Sequence, residues 1–311
     1  MNKKKFKNII VVLGGTSGER AVSLESGKAC IKALKKIKYK VSSFDPQKKN
    51  FNLINKRKTD AIFNALHGKN GEDGVAQSDF EYLKIPYTHS GVVSSFNAMD
   101  KLISKKIFLK NKIKTPKYFS IDRNHKISTV DKMLKLRKIN YPLIVKPVNE
   151  GSSLGVELCN NKKVLISSIK KLVKKYNRVM IEQFIPGQEI QVAIINGKPL
   201  GAIELVPKRK FYDYKAKYTK SAKTEHIMPA RLSKSKYLEV LNIAKKTHDA
   251  FKCRGVTRAD FKFFKGNFYL LEINTQPGMT SLSLVPEIAS YKGINFEKLV
   301  EKILLDASIN K

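Results

Sequence analysis

Tryptophan is absent from the 311-residue sequence, cysteine occurs three times, and no stretch approaches the roughly 18 consecutive apolar residues of a membrane-spanning helix. The basic N-terminal residues precede an apolar run, at 9–13, that is too short for a secretory signal. Cys30, Cys159 and Cys253 lie far apart, and their spacing indicates neither a disulfide framework nor a zinc ribbon. We therefore expect small packing cysteines in a soluble, cytoplasmic protein that does not insert into a membrane.

Arginine is also scarce, with 9 of the 61 basic residues, although the net charge is +35. Such a charge is typical of proteins that bind a polyanion. However, residues 1–100, 101–200 and 201–311 carry 18, 22 and 21 basic residues, so no segment concentrates the charge. Because an arginine-rich patch and an aromatic stacking platform are missing, we expect no nucleic-acid partner. A basic, non-catalytic nucleic-acid-binding protein is the alternative from a different class.

Short β-branched runs alternate with helical stretches in the first third of the chain. Runs at 8–13, 39–45 and 61–68 predict three strands, and apolar residues at helical spacing separate the first two. This order predicts a doubly wound parallel α/β unit up to about residue 97.

The remainder of the sequence predicts an α+β arrangement. One helix is expected to begin near Ser94 or Ser95, either of which could cap it, and to continue to Lys110. Further helices are expected near 162–176, 234–251 and 295–304. Because no low-complexity linker separates these segments, we expect domains that pack together.

A predicted hairpin late in the chain gathers three oxygen ligands. A three-residue loop at 265–267 would pair Phe264 with Phe268. In that register Asp260 lies opposite Glu272. Because side chains alternate along a strand, one face is expected to be apolar and the other polar. The apolar core face would hold Phe261, Phe263, Tyr269, Leu271 and Ile273, and the polar face Asp260, Lys262, Glu272 and Asn274.

The polar face of this hairpin predicts a metal site. Two carboxylates that face each other are destabilising unless a cation neutralises them. Together with Asn274, Asp260 and Glu272 offer only oxygen, which favours Mg²⁺ over Zn²⁺. The alternative is a solvated face on which Lys262 balances the charge.

A glycine-serine loop at 150–155 follows a predicted strand that carries Lys146. Backbone N–H groups and hydroxyls beside an ammonium can cover a triphosphate. The loop lacks the GxxxxGK[ST] order of a Walker A motif. A plain turn is therefore the alternative.

Seven segments form an ordered pattern along nearly the whole chain. They are GGTSGER (14–20), ALHGKNGEDG (65–74), AMDK (98–101), IVKP (144–147), EGSSLG (150–155), FYDYKAKY (211–218) and EINTQPGMT (272–280). In this order they resemble the D-alanine–D-alanine ligase family. The resemblance implies an ATP-grasp fold with three domains, of which the first has a doubly wound parallel sheet. The implied domains are residues 1–97, 98–186 and 187–311, with a mobile ω-loop at 208–228 in the third.

The resemblance also implies an activity. ATP would phosphorylate the carboxylate of one D-alanine, and the amine of a second D-alanine would attack the acyl phosphate, in peptidoglycan precursor synthesis. Two Mg²⁺ ions, with Mn²⁺ as a substitute, would accompany ATP, and the enzyme would be a homodimer. The nearest alternative is an ATP-grasp ligase that joins D-alanine to D-lactate or to another D-amino acid.

The nucleotide-binding residues are also implied by the resemblance. Lys101 and Lys146 match residues that hold the α- and β-phosphates, and Lys217 would reach the γ-phosphate. The adenine would be received by Glu182, Gln183, Phe184 and Ile185, the ribose by Glu189, and the metal ions by Asp260, Glu272 and Asn274. Gln183 departs from a common lysine, but an amide still hydrogen-bonds a purine edge. Alternatively, Lys101 and Lys146 are ordinary surface residues, and Glu182 and Glu189 are solvated acids at the ends of strands.

The first substrate would be held by residues from two segments. Glu19 matches the carboxylate that binds the ammonium of the first D-alanine, and a helix N-terminal acid is its alternative. His67 resembles the residue near that substrate's carboxylate, with a hydrogen-bonded structural histidine as the alternative. Arg258 and the backbone N–H of Gly278 match groups that stabilise the transferring phosphate and the tetrahedral oxyanion.

The second substrate and the closing loop complete the implied site. Ser283 and Leu284 match positions that receive the carboxylate of the second D-alanine, and the serine two residues earlier is the alternative. Tyr218, Ser152 and Glu19 match a hydrogen-bonded trio that links the three domains when the ω-loop excludes water. Tyr218 also marks the dipeptide-forming subgroup, although it could be an ordinary loop aromatic. The implied catalytic set is Glu19, Ser152, Tyr218, Arg258, Gly278 and Ser283.

Overall fold

Three β-sheets organise the chain in a computed structural model that describes residues 5–152, 154–207 and 224–309. The first sheet holds β1 (Asn8–Val12), β2 (Lys40–Phe44) and β3 (Ala61–Asn64) in the order β2-β1-β3. The second holds β4 (Tyr118–Asp122), β5 (Leu143–Pro147), β6 (Glu157–Cys159) and β7 (Arg178–Gln183) in the order β4-β7-β5-β6. The third holds β8 (Gln188–Ile195), β9 (Lys198–Val206), β10 (Glu225–Ile227), β11 (Val256–Phe264) and β12 (Asn267–Asn274) in the order β10-β9-β8-β11-β12.

Helices connect and cover these sheets. The α-helices in the described residues are α1 (Arg20–Lys36), α2 (Val75–Leu83), α3 (Val92–Met99), α4 (Lys101–Lys110), α5 (Thr129–Arg137), α6 (Lys162–Tyr176), α7 (Lys234–Ala250), α8 (Leu284–Tyr291) and α9 (Phe296–Leu305). Within this part of the chain, no helix has both the length and the apolar character that crossing a membrane requires.

The N-terminal sheet is parallel, as the sequence predicts. Its central strand, β1, runs parallel to β2 on one side and to β3 on the other. Ile9 and Val11 of β1 are buried, which explains why this strand is a continuous β-branched run. The carboxyl ends of β1 and β3 meet at one edge, and the loops that follow them begin with the segments 14–20 and 65–74.

Apolar clusters show how the sheets pack. One cluster joins Leu34 of α1 to Val300 of α9 and to Val256 of β11, so the first and third sheets share a core. The second sheet has its own cluster with α5 and α6. The three cysteines are buried and free, as expected. The division into domains at residues 97 and 186 stays a prediction.

The predicted helix from Ser94 or Ser95 to Lys110 is wrong, because two helices occupy this segment. Asp100 has an extended backbone (φ −80°, ψ 106°) that ends α3. Its side chain accepts hydrogen bonds from the backbone N–H groups of Leu102 and Ile103, so it caps α4. Lys101 is consequently the first residue of a helix instead of lying within one.

We expect Asp100→Ala to lower the free energy of unfolding by about 1 kcal/mol, because two N–H groups at the start of α4 lose their acceptor. Urea unfolding measures the change. Asp100→Asn is the matched control, since an asparagine side chain retains the acceptor and should preserve most of the stability. Equal stability of the alanine variant and the wild type would contradict the capping role.

The predicted hairpin exists, but its turn differs from the predicted loop. Phe264 pairs with Asn267, so only Lys265 and Gly266 form the turn. Both residues have positive φ (47° and 73°), as a two-residue hairpin turn of the primed type requires. The predicted three-residue loop, with Phe264 opposite Phe268, is therefore wrong.

A β-bulge restores the predicted pairing farther along the hairpin. Phe261 pairs with Leu270, whereas Asp260 pairs with Glu272, so Leu271 is the additional residue. The buried face of β12 consists of Phe268, Leu270 and Ile273. The prediction that Tyr269 and Leu271 lie on the core face is therefore wrong, because the turn shifts the alternation of β12 by one residue.

Candidate active site

A cleft between the second and third sheets gathers the predicted nucleotide-binding residues. On β5, Val145 points into the core of the second sheet, so the alternation directs Lys146 to the opposite face. Glu182 of β7 shares that face. The candidates that line this cavity are Lys101, Lys146, Glu182, Gln183, Phe184, Ile185, Glu189, Asp260 and Glu272. Lys217 lies outside the described residues.

Two lysines hold the buried carboxylate of Glu182. Its Oε1 lies 3.2 Å from Nζ of Lys146, and its Oε2 lies 2.9 Å from Nζ of Lys105. Burial acts to raise the pKa of Glu182, but the two ammonium groups outweigh it and hold the pKa below its usual value. Burial lowers the pKa of Lys105 to about 8. Glu182 is therefore an ion-paired residue of the cleft, and not the solvated strand end of the alternative interpretation.

The predicted ribose-binding acid has a cationic neighbour. Lys262 donates a hydrogen bond to Oε2 of Glu189 at 3.0 Å, across the pairing of β11 with β8. Lys262 thus interacts with Glu189, which disfavours the alternative in which it balances Asp260 and Glu272.

The three predicted metal ligands lie close together on β11 and β12. Asp260 and Glu272 face each other across the two strands, and Asn274 lies opposite Arg258. Arg258 binds both oxygens of Asp260, with Nε–Oδ1 and Nη2–Oδ2 distances of 2.7 and 2.8 Å. Oδ1 of Asn274 accepts a hydrogen bond from the backbone of Gln276 at 2.8 Å, which orients the amide.

This donor set fits a hard divalent cation. Two carboxylates and one amide offer only oxygen and leave coordination positions for phosphate oxygens and water. In the described residues, no group of three or more His, Cys, Asp and Glu side chains could hold a metal ion.

A second cavity adjoins this cleft. The predicted residues that line it are Glu19, His67, Ser152, Arg258, Glu272, Asn274, Gly278, Ser283 and Leu284. Lys101, Glu150 and Glu272 line both cavities. The two cavities therefore meet at these three residues. Tyr218 and most of the predicted ω-loop, residues 208–223, fall outside the described residues.

Glu19 is enclosed where the N-terminal segment meets the glycine-serine loop. It is 6% exposed, and Oε1 accepts a hydrogen bond from the hydroxyl of Ser152. A Cβ atom on Gly68 or Gly151 would lie 2.6 or 2.8 Å from Oε2, closer than atoms normally approach. Glycine at both positions therefore allows the backbone to surround this carboxylate.

The loop that leads to Glu19 is held by an ion pair. Arg20 contacts both oxygens of Asp45, which also accepts a hydrogen bond from the backbone of Gly15 at 3.0 Å. The hydrogen bond from Arg20 lowers the pKa of Asp45 to about 2. These contacts fix the turn between β1 and α1, and with it the position of Glu19 at the start of the helix.

His67 is held by two protein groups. Its Nδ1 lies 2.7 Å from Oε1 of Glu72, and its Nε2 lies 3.2 Å from Oγ of Ser26. The imidazole is 5% exposed and lines the second cavity. Both the substrate-binding and the structural interpretations of His67 fit this geometry.

The far end of the second cavity is the start of α8. Ser283 is the residue before this helix, and its Oγ accepts a hydrogen bond from the backbone of Thr280 at 3.0 Å. The side chain of Leu284 is buried in the apolar core. The N–H groups of a helix N-terminus favour an anion such as a carboxylate. Ser281, the alternative, is exposed and is not among the residues that line this cavity.

Sequence reasoning missed several buried polar residues of the site. Lys105 lies one helical turn after Lys101, and this i, i+4 spacing was the available signal. Gln276 donates a hydrogen bond to the backbone carbonyl of Leu66 and so joins the third sheet to the loop after β3. Gln191 is 1% exposed and lines the second cavity, but it lies in an apolar strand and offered no signal.

Comparisons with known proteins agree with this geometry. The chain is 55% identical to a D-alanine–D-alanine ligase of Pelagibacter ubique, over 98% of this chain and 99% of that protein. It is similar to the structure of a D-alanine–D-alanine ligase of Bacillus anthracis complexed with ATP, with a TM-score of 0.84, 34% identity and coverage of 96% and 97% of the two chains. It is also similar to the VanG D-Ala:D-Ser ligase of Enterococcus faecalis, with a TM-score of 0.83, 27% identity and coverage of 96% and 98%.

The fold and the paired cavities define the class. Two antiparallel sheets around a cleft lined by lysines and acids, joined to a parallel N-terminal sheet, are the architecture of an ATP-grasp ligase, which confirms the predicted fold. The family model described as D-ala D-ala ligase C-terminus matches residues 107–305. The chain belongs to the D-alanine–D-alanine ligase family.

Proposed function

We propose that this protein joins two D-alanine molecules into D-alanyl-D-alanine, using ATP and passing through an acyl phosphate. The observation that carries this proposal is the junction of the two cavities at Lys101, Glu150 and Glu272. It allows a carboxylate substrate to lie against the terminal phosphate of ATP, as in-line transfer requires. The product would serve peptidoglycan precursor synthesis in the cytoplasm.

In this proposal the cleft binds ATP with its phosphates near Lys101 and Lys146. Adenine lies beside Glu182, Gln183, Phe184 and Ile185, the ribose lies beside Glu189, and Lys217 reaches the γ-phosphate. Asp260, Glu272 and Asn274 would hold two Mg²⁺ ions, for which Mn²⁺ can substitute. These ions neutralise phosphate charge when bound.

The second cavity binds and orients the two amino acids. Glu19 binds the ammonium of the first D-alanine, and His67 lies near its carboxylate. Ser283 and the backbone at Leu284 receive the carboxylate of the second D-alanine at the start of α8. Ser152 keeps Glu19 in place, and Tyr218 links both to the closed ω-loop.

Charge stabilisation would then come from Arg258 and Gly278, which both line the second cavity. Together, the guanidinium of Arg258 and the N–H of Gly278 would stabilise the transferring phosphoryl group and the tetrahedral oxyanion. Closure of the ω-loop, including Lys217, would exclude water from the acyl phosphate.

Phosphate release tests this proposal. With ATP present, we expect D-alanine to stimulate phosphate release and D-alanyl-D-alanine to accumulate. If the protein binds ATP but D-alanine does not stimulate phosphate release, the proposal is refuted. Steeply salt-dependent binding to duplex DNA in the same preparation would instead favour the nucleic-acid-binding alternative.

A second candidate is ligation of D-alanine to a different partner. The likeness to a D-Ala:D-Ser ligase favours considering it, because the two folds superpose over nearly their whole length. Product analysis with D-alanine alone, and with added D-serine or D-lactate, separates the candidates. We expect D-alanyl-D-alanine to be the main product.

We also propose that the protein is a homodimer. Light scattering of the purified protein would then give a mass of about 70 kDa, twice the mass of one chain.

A further inference from the structure

Lys105 is a completely buried lysine whose ion-pair partner, Glu182, lines the cleft between the second and third sheets. It lies on α4, one helical turn after Lys101, and its side chain is 0% exposed. Its ammonium has three neighbours on other elements. These are Oε2 of Glu182 at 2.9 Å, Oγ1 of Thr115 at 2.5 Å and the backbone carbonyl of Leu270 at 3.4 Å.

A buried lysine is unfavourable unless its charge is compensated. Removing an ammonium group from water costs several kcal/mol, and a lysine in such a position is retained only where partners repay that cost. A methionine of similar volume would fill the same space without this penalty. The charge of Lys105, and not only its volume, therefore needs an explanation.

We propose that Lys105 is a positioning residue for the nucleotide, and that it acts through Glu182. The proposal rests on the function proposed above, in which the adenine lies beside Glu182 and the phosphates lie beside Lys146. Lys105 holds one oxygen of the Glu182 carboxylate and balances its charge. The ammonium of Lys146 then remains available to the phosphates.

The charges of the cleft carry this argument. Lys105, Glu182 and Lys146 together carry two positive charges and one negative charge. Glu182 is closer to Lys105, at 2.9 Å, than to Lys146, at 3.2 Å. Without the charge of Lys105, Glu182 and Lys146 would form a neutral pair in a poorly solvated site. Lys146 would then be neutralised by Glu182 and would be less available to the phosphates of the nucleotide.

The remaining contacts of Lys105 have a different role. Thr115 accepts a hydrogen bond from Lys105 and donates one to the carbonyl of Leu270 at 2.7 Å. This short chain ties α4 to β12 beside the β-bulge. It could support the fold without affecting ATP, so an experiment must separate the tether from the interaction with Glu182.

The experiment compares ATP binding and turnover in Lys105→Met. ATP affinity is measured by calorimetry without D-alanine and with Mg²⁺ in the buffer. We expect ATP binding to weaken roughly 10-fold or more, the KM for ATP to rise in parallel, and kcat and the KM for D-alanine to change by less than about 3-fold. Lys106→Met is the matched control, because Lys106 is exposed on the same helix, and it should leave all four quantities unchanged.

Two further variants distinguish positioning from support of the fold. Lys105→Arg retains the charge and should restore a substantial part of the ATP affinity. Thr115→Val removes the tether and should lower the thermal midpoint with less than about a 3-fold effect on ATP affinity. Wild-type ATP affinity in Lys105→Met, or equal losses in Lys105→Met and Thr115→Val, would overturn the proposal.

A double-mutant cycle tests whether Glu182 mediates the effect. In a Glu182→Gln background the carboxylate charge is absent, so Lys105→Met should weaken ATP binding by much less than in the wild type. Full additivity would overturn the proposal. If Lys105→Met does not fold, Lys105→Gln replaces it in the same cycle. Failure of the wild type to release phosphate with D-alanine would refute the proposed function, whereas the ATP affinities would still report on Lys105.

Discussion

Replacing Glu272 with glutamine is expected to reduce D-alanine-stimulated phosphate release by about 10³-fold while leaving the fold intact. Glu272 faces Asp260 across the hairpin and lines both cavities, so its charge acts where phosphate and carboxylate would meet. In the proposed metal site, loss of one of the two carboxylates would remove on the order of several kcal/mol of charge stabilisation. The measurement is the phosphate-release rate at saturating ATP and D-alanine, repeated over a range of Mg²⁺ concentrations.

The control for this variant is Glu239→Gln. Glu239 lies on α7 and its side chain is 43% exposed, so the same chemical change should leave the rate unchanged. A circular dichroism spectrum identical to that of the wild type would show that Glu272→Gln is folded. Wild-type turnover with an unaltered Mg²⁺ dependence would contradict the ligand assignment.

Glu19→Gln is expected to lower kcat/KM for D-alanine by about 10²-fold and to leave the affinity for ATP nearly unchanged. Glu19 is buried beside Ser152, where little solvent screens its charge. Removal of one partner from a buried ion pair typically costs about 3–5 kcal/mol, and ordering of the loop by Ser152 would offset part of that loss. The two parameters are measured by steady-state kinetics and by calorimetry with ATP.

Glu25→Gln provides a matched control on the same helix, because Glu25 is exposed. It should behave as the wild type in both measurements. If Glu19→Gln weakened ATP and D-alanine binding equally, Glu19 would be organising the whole cleft and would not be a specific partner of an ammonium group.

The sequence predicted the sheet and helix pattern well where one face of an element is buried. The β-branched run of β1 and the apolar spacing of α1 follow directly from burial. The break at Asp100 was missed because the residues on both sides of it favour a helix. Only the capping contacts to Leu102 and Ile103 reveal why two helices form there.

The hairpin prediction placed Asp260 opposite Glu272 by two errors that cancel. A turn shorter by one residue would have moved Glu272 out of register, and the bulge at Leu271 moves it back. Turn length and bulges depend on backbone conformations that the alternation of side chains does not reveal. The predicted pairing is therefore confirmed, but the predicted core face is wrong at Tyr269 and Leu271.

Most residues of the candidate site were predicted from the resemblance to a family. The structure adds contacts between residues that are distant in the sequence. Lys105 and Glu182 are distant in the sequence, and their ion pair exists only because the fold brings these two residues together. Contacts of this kind are set by tertiary packing, so a single sequence contains no direct signal for them.

The additional residue in β12 has an evolutionary consequence. Leu271 and Glu272 both face the cleft, while Leu270 and Ile273 on either side of them are buried. Deleting one residue between Leu270 and Ile273 would make the strand regular and leave room for only one cleft-facing side chain. Selection should therefore eliminate insertions and deletions in this short segment. A regular hairpin without the bulge would form the same ladder of hydrogen bonds but would not present both side chains to the cleft.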